Sequence, residues 1–168
     1  MKFNLFIKAI LLISSLGLLS CIYEEPFPEL PAETHTGEGT FGCLVNNELV
    51  FALSRNWTGL DAGASYDRNN DQLRISAKCQ FGQQFVFLID DPYKRQDGLP
   101  IDTIRYLLPN SNEWMQATHV GSFRITRMDD NPSYIGVVSG IFSFDFIETG
   151  KTPIRVTKGR FDLTFYYY

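Results

Sequence analysis

Beyond residue 39, apolar and polar residues alternate with a period of two, which is the pattern of strands that bury one face. In the segment QLRISAKC the apolar residues and Cys79 share one face, whereas Arg74, Ser76 and Lys78 share the other. The segment QFVFLID is apolar on both faces, which favours a place at the centre of a sheet. No segment has the length and period of an amphipathic helix. The pattern therefore predicts an all-β domain.

Turn signals divide the alternating region into short strands. Residues 41–53 form two apolar runs around Asn46-Asn47, a pair that favours a tight hairpin turn. Gly140 and Lys158-Gly159 are expected to bend or interrupt two later runs. The remaining predicted strands are TIRYLL, SFRITRM, YIGVVSGIFSFDFIE, PIRVT and RFDLTFYYY. About eight or nine strands of this kind favour an antiparallel β-sandwich, with a barrel as the second choice.

Residues 1–20 have the composition of an export signal. Two lysines precede an apolar run at residues 9–19, which is shorter than the roughly 20 apolar residues that a helix needs to span a bilayer. Leu18-Leu19-Ser20-Cys21 resembles a bacterial lipobox, in which the cysteine is lipidated and becomes the first residue. The resemblance implies that acyl chains on Cys21 anchor the protein in the outer membrane. The alternative is ordinary secretion, which would leave a free thiol at Cys21.

Residues 21–39 are expected to form a lipidated tether ahead of a single domain at residues 40–168. Pro26, Pro28 and Pro31 favour an extended and semi-rigid chain. Glu24 and Glu25 resemble the acidic surface-export signal of Bacteroides-type lipoproteins, which implies exposure on the outside of the cell. A solvated acidic tether on the periplasmic face is the alternative.

The charge of the chain argues against one class of partner. The formal net charge is −4, and once Lys2 and Lys8 are set aside with the signal, 13 of the 15 basic residues remain against 19 acidic ones. Binding to a phosphate backbone needs clustered cations in excess. Nucleic acid is therefore not expected as a partner.

With Cys21 lipidated, two cysteines remain in a compartment that permits disulfide bonds. Cys79 lies on the apolar face of its predicted strand, and Cys43 lies on the face of Phe41 and Val45, so both side chains are expected in one core. A bridge between them would close a loop of about 36 residues. The alternative is two buried free thiols that pack as small apolar side chains.

The sequence offers little material for catalysis. His119 is the only histidine of residues 40–168, and neither a G-x-S-x-G segment nor a Cys-x-x-Cys pair accompanies it. The pairs Asp90-Asp91 and Asp129-Asp130 could act as paired carboxylates, but each stands just before a proline, which is typical of turns. We therefore expect no catalytic residue and no cofactor.

A segment with the spacing of a calcium loop occurs at Asp67, Asn69 and Asp71. A calcium hand needs glycine at the sixth position and glutamate at the twelfth, where this chain has Gln72 and Lys78. A calcium hand is therefore excluded, and a looser oxygen site is the alternative to a plain turn. We expect no metal centre.

Four aromatic residues in predicted loops are candidates for ligand binding, and they are Trp57, Tyr66, Tyr93 and Trp114. Exposed rings in loops often carry recognition, and a sugar ring can stack on them. The same residues could instead close the ends of a sandwich. Thr103, in Asp102-Thr103-Ile104, resembles the short acceptor motif for protein O-glycosylation in Bacteroides-type bacteria.

Two longer stretches resemble a family of Bacteroides-type lipoproteins of unknown function. In residues 30–50 the match is a Thr-Phe-Gly-Cys-Leu-Val-Asn segment that opens the domain, with Asn47 where the family usually has glycine. In residues 139–165 it is a closing Gly-Arg-Phe-Asp segment, here residues 159–162. The resemblance implies an anchored β-rich domain and supplies neither a substrate nor catalytic residues.

Together these features predict a lipid-anchored protein of the outer surface that binds or supports a glycan or an envelope protein and does not catalyse a reaction. A carbohydrate-binding accessory lipoprotein is the second hypothesis, which an exposed coplanar pair of aromatic rings would favour. A hydrolase is the third, and it would require His119 or a carboxylate pair to line a deep cleft.

Overall fold

The computed structural model describes residues 29–53, 61–94, 103–109, 112–116, 119–129, 135–147 and 152–168. These ranges contain ten strands, two short 3₁₀ turns and no α-helix, so the all-β prediction is confirmed. The strands are β1 (Thr40–Val45), β2 (Glu48–Leu53), β3 (Asp61–Asp67), β4 (Gln72–Lys78), β5 (Gln84–Asp90), β6 (Thr103–Leu107), β7 (Trp114–Gln116), β8 (His119–Met128), β9 (Ile135–Phe146) and β10 (Ile154–Tyr167). The turns are Gln80–Gly82 and Pro92–Lys94. Among the described segments, none is a helix long and apolar enough to cross a membrane.

The ten strands belong to one mixed sheet that curls into a half-barrel, consistent with the predicted sandwich or barrel. The order along the sheet is β2-β1-β10-β3-β4-β5-β6-β7, and β9 pairs with both β10 and β8. β10 joins these parts, because it pairs antiparallel with β9 and β1, and its residues 165–167 pair parallel with β3. Among the described strand pairs, this parallel one departs from the antiparallel arrangement that the sequence predicts.

The structure has ten strands where the sequence predicts eight or nine, because two of them give no clear sequence signal. β3 buries Ala62 and Ala64 beside Tyr66. Such small side chains lack the β-branched and aromatic enrichment that marks a strand. β7 has only three residues, too few for an alternation to be visible.

β9 is a single strand, which is one of the two possibilities that the sequence leaves open at Gly140, whereas the predicted break at Lys158-Gly159 is absent because β10 is continuous. β9 passes through Gly140, where an added Cβ would lie 2.5 Å from the ring of Phe161, so the glycine serves close packing. β10 passes through Lys158-Gly159 as a bulge, and its register with β9 shifts between Val156 and Gly159. Lys158 has a φ of 52°, which places the irregularity at this residue.

The predicted hairpin turn at Asn46-Asn47 is confirmed. Both residues have positive φ, 50° and 69°, as a type I′ turn requires. β1 and β2 then pair without a register shift. The side chain of Asn46 also accepts a hydrogen bond from the backbone N–H of Arg155 at 2.9 Å, which fixes the turn against β10.

Phenylalanine rings fill most of the inward face of the sheet. Alternate residues along the strands are buried, as the period of two predicts. The buried phenylalanines are Phe41, Phe85, Phe87, Phe123, Phe142, Phe144, Phe146, Phe161 and Phe165. The ring of Phe142 contacts four of the others, and its centroid lies 5.1 Å from that of Phe87 and 5.3 Å from that of Phe41. Directly opposite Phe142 in the sheet stands Gly159, whose missing side chain leaves room for the ring.

Cys43 and Cys79 both lie in this core as free thiols. The structure therefore has two buried cysteines and not the bridge that the sequence allows. Burial raises the pKa of the Cys79 thiol to about 12, and burial together with the nearby Cys79 raises the pKa of Cys43 well above its ordinary value. Both thiols are thus neutral at physiological pH and pack as small apolar side chains.

A buried carboxylate on β10 holds the segment that precedes the first strand. Asp162 is 1% exposed, although aspartate is rarely buried without partners. Its Oδ2 accepts hydrogen bonds from the hydroxyl of Thr34 at 2.7 Å and from the backbone N–H groups of Thr36 and Glu38 at 3.0 and 3.2 Å. These residues belong to the stretch that the sequence assigns to the tether. Its last residues therefore pack on the domain.

The other oxygen of Asp162 completes the arrangement. Oδ1 accepts hydrogen bonds from the backbone N–H of Gly37 at 2.9 Å and from the hydroxyl of the buried Ser139 at 2.7 Å. Burial by itself would raise the pKa of Asp162, but the hydrogen bonds outweigh it and lower the pKa to about 2. We call these five hydrogen bonds the Asp162 clamp.

Candidate functional site

The outward face of strands β3 to β7 carries a groove with a volume of about 520 Å³. Alternate residues of these strands point away from the core, and they are exposed or half-buried while their neighbours are buried. The lining residues are Asp61, Arg74, Ser76, Ala77, Lys78, Gln84, Phe85, Val86, Leu88, Arg105 and Trp114. We call this surface the β3–β7 groove.

Strand register aligns five outward side chains in one row across this face. From β3 to β7 the row consists of Asp61, Lys78, Gln84, Leu107 and Trp114, each opposite the next. Neighbouring strands are about 4.8 Å apart, so the backbones of Lys78 and Trp114, three strands apart, are separated by roughly 14 Å. The row thus places a cation and an indole ring at a distance that suits an extended ligand.

The groove is positively charged although the chain as a whole is acidic. Its cations are Arg74, Lys78 and Arg105, and Asp61 is the one carboxylate among the described lining residues, which gives a local charge of +2 against −4 for the chain. The half-buried Val86 and Leu88 of β5 form an apolar floor between these charges. None of the three cations forms an ion pair with a residue that the structure describes.

Of the three aromatic candidates that the structure describes, Trp114 is the one that lines the groove, and it is 46% exposed. Tyr66 is only 7% exposed and packs edge-on against Tyr93, with ring centroids 5.7 Å apart and planes at 84°. Tyr66 and Tyr93 therefore do not form the exposed coplanar pair that a sugar platform would need, because both rings pack on the core. Trp57 lies outside the described residues.

An exposed ring that the sequence does not single out lies in the turn that joins two neighbouring members of the row, Lys78 and Gln84. Phe81 is 73% exposed and has a φ of 61°, an uncommon conformation for a bulky residue. This turn connects β4 to β5. A hydrogen bond of 2.8 Å, donated by the backbone N–H of Cys79 to the carbonyl of Gln83, closes it. The turn thus presents an aromatic side chain beside the groove.

The segment with calcium-loop spacing forms the turn between β3 and β4. Asp67 accepts hydrogen bonds from the backbone N–H of Asn69 at 2.8 Å and from the side chain of Asn70 at 2.7 Å. Asp71 accepts one from the hydroxyl of Tyr66, and this bond adds to burial in raising the pKa of Tyr66. The carboxylates are therefore used within the turn. In the described part of the chain, no group of three or more His, Cys, Asp or Glu side chains is arranged to hold a metal.

The structure describes three of the aspartates that the sequence offers as candidates for catalysis. Asp90 accepts a hydrogen bond across the sheet from β4 at 2.7 Å, and Asp91 follows it in a turn with a φ of 49°. Asp129 pairs with a neighbouring arginine at 2.9 Å, and Asp130 lies outside the described residues. His119 is the first residue of β8. None of the three described aspartates lines the β3–β7 groove.

The structure describes only some of the residues at which the sequence predicts a modification or an export signal. Thr103 begins β6 and lies opposite Leu88, so it belongs to the same outward face as the groove. Its neighbour Asp102 lies outside the described residues. The same holds for Cys21, Glu24 and Glu25, so the lipid anchor and the export signal stay predictions.

The sequence does not identify the groove cations as a group. It contains one signal, the polar alternation of β4, which puts Arg74 and Lys78 on the same face. Arg105 lies two strands away and joins them only through the register of β4, β5 and β6. No local pattern shows that register.

Comparisons of the chain with models of protein families, with curated proteins and with solved structures gave no match. The resemblance to a Bacteroides-type lipoprotein family therefore stays a prediction from the two stretches quoted above. The function has to be argued from the chemistry of the groove.

Proposed function

We propose that this chain is a non-catalytic binding module of the cell envelope and that the β3–β7 groove holds its ligand. The observation that carries the proposal is the groove itself, where an exposed tryptophan, an apolar floor and three cations share one concave surface. Ligand sites typically combine such a partly apolar concavity with a few polar groups that fix the orientation of the ligand.

The chemistry of the lining favours binding over catalysis. The described lining contains Ser76 and Asp61 but no histidine, cysteine or second carboxylate that could complete a nucleophile–base pair. The lining side chains belong to paired strands of the sheet, which hold them more rigidly than loops would. The backbone of such a surface therefore loses little conformational entropy when a ligand binds.

The proposal includes the lipid anchor at Cys21 and the export signal at Glu24 and Glu25. Residues 22–33 would then connect the membrane to the Asp162 clamp. In an extended, proline-rich conformation of about 3.1 Å per residue, such a tether reaches roughly 40 Å. The domain would then lie outside the cell.

Protease treatment of intact cells tests this location. In cells that produce the full chain with a C-terminal epitope, external protease is expected to remove the epitope, because the domain lies outside. A variant with Glu24→Gln and Glu25→Gln is expected to stay protected until the outer membrane is permeabilised, and Cys21→Ser is expected to leave the membrane fraction. Protection of the wild-type chain in intact cells would contradict the surface location and favour the periplasmic face.

A carbohydrate is the ligand class that one specific observation favours. Trp114 presents 46% of its side chain at the end of the row of groove residues, as a ring-stacking residue would. Elsewhere in the groove, Gln84 and Ser76 supply amide and hydroxyl groups that can bond sugar hydroxyls. The second candidate function is therefore that of a carbohydrate-binding accessory lipoprotein.

A glycan and peptide array probed with the full chain in detergent tests the groove. Binding is expected on glycans, and Trp114→Ala is expected to weaken it at least tenfold, because losing a buried aromatic contact costs about 1.5 kcal/mol or more. Tyr166→Ala is the matched control, since Tyr166 is 58% exposed and does not line the groove. If the chain binds nothing on the array, or if binding is as tight after Trp114→Ala, a ligand site at the groove is contradicted.

A further inference from the structure

We propose that the ligand of the β3–β7 groove is an acidic glycan, a sugar polymer that carries carboxylate or sulfate groups. This inference rests on the proposed binding function and narrows it to one substrate class. A neutral glycan would leave the net charge of +2 that the described lining residues give the groove unmatched, whereas an acidic one can pair with the groove cations.

The spacing of the cations indicates a polymer and not a single small anion. Arg74 and Lys78 are four residues apart on β4, which separates their backbone positions by roughly 13 Å. Arg105 lies two strands away, opposite Val86, which itself lies opposite Ser76 between the two β4 cations. Its backbone is thus roughly 12 Å from each of them. Charges repeated along a chain match this triangle better than one isolated phosphate would.

The other groups of the groove indicate a sugar backbone. Trp114 offers a flat apolar surface at one end of the row. Gln84 offers an amide within the row, and Ser76 offers a hydroxyl between the two β4 cations. Val86 and Leu88 form a floor on which the apolar face of a sugar ring can rest. A peptide rich in acids would use the cations but not this combination of ring, floor and amide.

The charge of the whole chain argues against nucleic acid as the polyanion. With a net charge of −4, the chain as a whole repels a long duplex or strand that carries one charge per phosphate. Only a ligand whose charges match the small positive patch locally avoids this repulsion. An acidic glycan, with charges spaced by sugar rings, fulfils that condition.

Four polymers separate the contributions of sugar and charge. The full chain in detergent is titrated with dextran, carboxymethyl-dextran, dextran sulfate and poly-glutamate, and the dissociation constants are measured by biolayer interferometry at low and at physiological salt. We expect at least one of the two charged dextrans to bind about tenfold or more tightly than dextran, and poly-glutamate to bind no better than dextran. The tighter of the two charged dextrans identifies the anionic group, carboxylate or sulfate.

Single variants then assign the binding to the groove. Arg105→Gln and Lys78→Gln are each expected to weaken binding of the charged dextran about tenfold and to leave binding of dextran unchanged. Arg124→Gln is the matched control, because Arg124 is an exposed cation on β8 that does not line the groove. Unchanged thermal unfolding of all three variants confirms that the fold is intact.

The outcomes distinguish this inference from the proposed function. If dextran binds as tightly as its charged forms and Trp114→Ala alone weakens it, the binding function stands and the acidic-glycan inference is overturned. Equal binding of poly-glutamate, or an equal loss in Arg124→Gln, would show a general attraction for polyanions and would also overturn it. If none of the polymers and no member of the array binds, both the inference and the proposed function fail.

Discussion

Replacing Phe142 by alanine is expected to lower the free energy of unfolding by about 4 kcal/mol. The side chain is 3% exposed, and its ring contacts those of Phe41, Phe87, Phe144 and Phe161. Alanine would remove all four ring contacts and leave a cavity that paired strands cannot close. Phe142→Leu keeps most of the apolar volume and should cost only about 1.5 kcal/mol. Equilibrium unfolding in urea, followed by circular dichroism, measures both changes.

Gly159 offers a matched test of the same packing. It lies opposite Phe142 in the pairing of β9 with β10, and an added Cβ would come within 2.2 Å of the ring. Gly159→Ala alone is therefore expected to cost about 2 kcal/mol through overpacking. In the Phe142→Ala background the new methyl group enters vacated space, so the combined cost should fall short of the sum by about 1 kcal/mol or more. Strictly additive costs would show that the ring does not pack on the glycine.

Asp162→Asn is expected to lower the free energy of unfolding by about 3 kcal/mol, because donors of the Asp162 clamp lose their acceptor. Asparagine has the shape of aspartate, but its NH₂ group faces N–H donors in either orientation. On the Oδ1 side the donor is Gly37, and on the Oδ2 side the donors are Thr36 and Glu38. Urea unfolding measures the loss, and hydrogen exchange at the amides of Gly37 and Glu38 shows whether the segment before β1 is released.

The same carboxylate predicts how stability depends on pH. The pKa of Asp162 is about 2 in the folded protein, against 3.8 for an unperturbed aspartate. Because the folded-state pKa is the lower one, the charge stabilises the fold above about pH 4, and this contribution is lost as the pH falls from about 4 towards 2. It should amount to about 2 kcal/mol, and the Asp162→Asn variant should lack this part of the pH profile.

Asp145→Asn serves as the control for both measurements. Asp145 pairs with Arg155 at 3.4 Å on the surface of the sheet, so removing its charge should cost less than about 1 kcal/mol. If Asp162→Asn lowers the free energy of unfolding no more than Asp145→Asn does, the stabilising role of the Asp162 clamp is refuted. An unchanged acid profile of Asp162→Asn would refute it equally.

The fold was largely predictable where one strand pairs with its neighbour in sequence. The Asn46-Asn47 turn and the alternation in QLRISAKC both appear in the structure as the sequence predicts. The apolar residues on both faces of β5 predict a central strand, and β5 pairs with β4 on one side and with β6 on the other. In each case the decisive interaction is local or depends on burial alone.

The remaining features depend on contacts that are distant in sequence. The parallel pairing of residues 165–167 with β3 joins segments about a hundred residues apart, and β3 itself carries small side chains without a strand signal. The free state of Cys43 and Cys79 depends on side-chain geometry in the finished core. The groove cations come together only through strand register. Sequence alone could therefore predict Trp114 as an aromatic candidate but not the charged surface around it.

The Asp162 clamp also decides where a mechanical load would enter the domain. If Cys21 is held in a membrane, a pull on the protein travels along residues 22–33 and reaches the hydrogen bonds of Asp162 before it reaches β1. β10 is bonded along both edges, to β9 on one and to β1 and β3 on the other. The load is thus shared among several strands at once and does not peel β1 away one hydrogen bond after another. An anchored domain built in this way would resist drag through its best-supported strand.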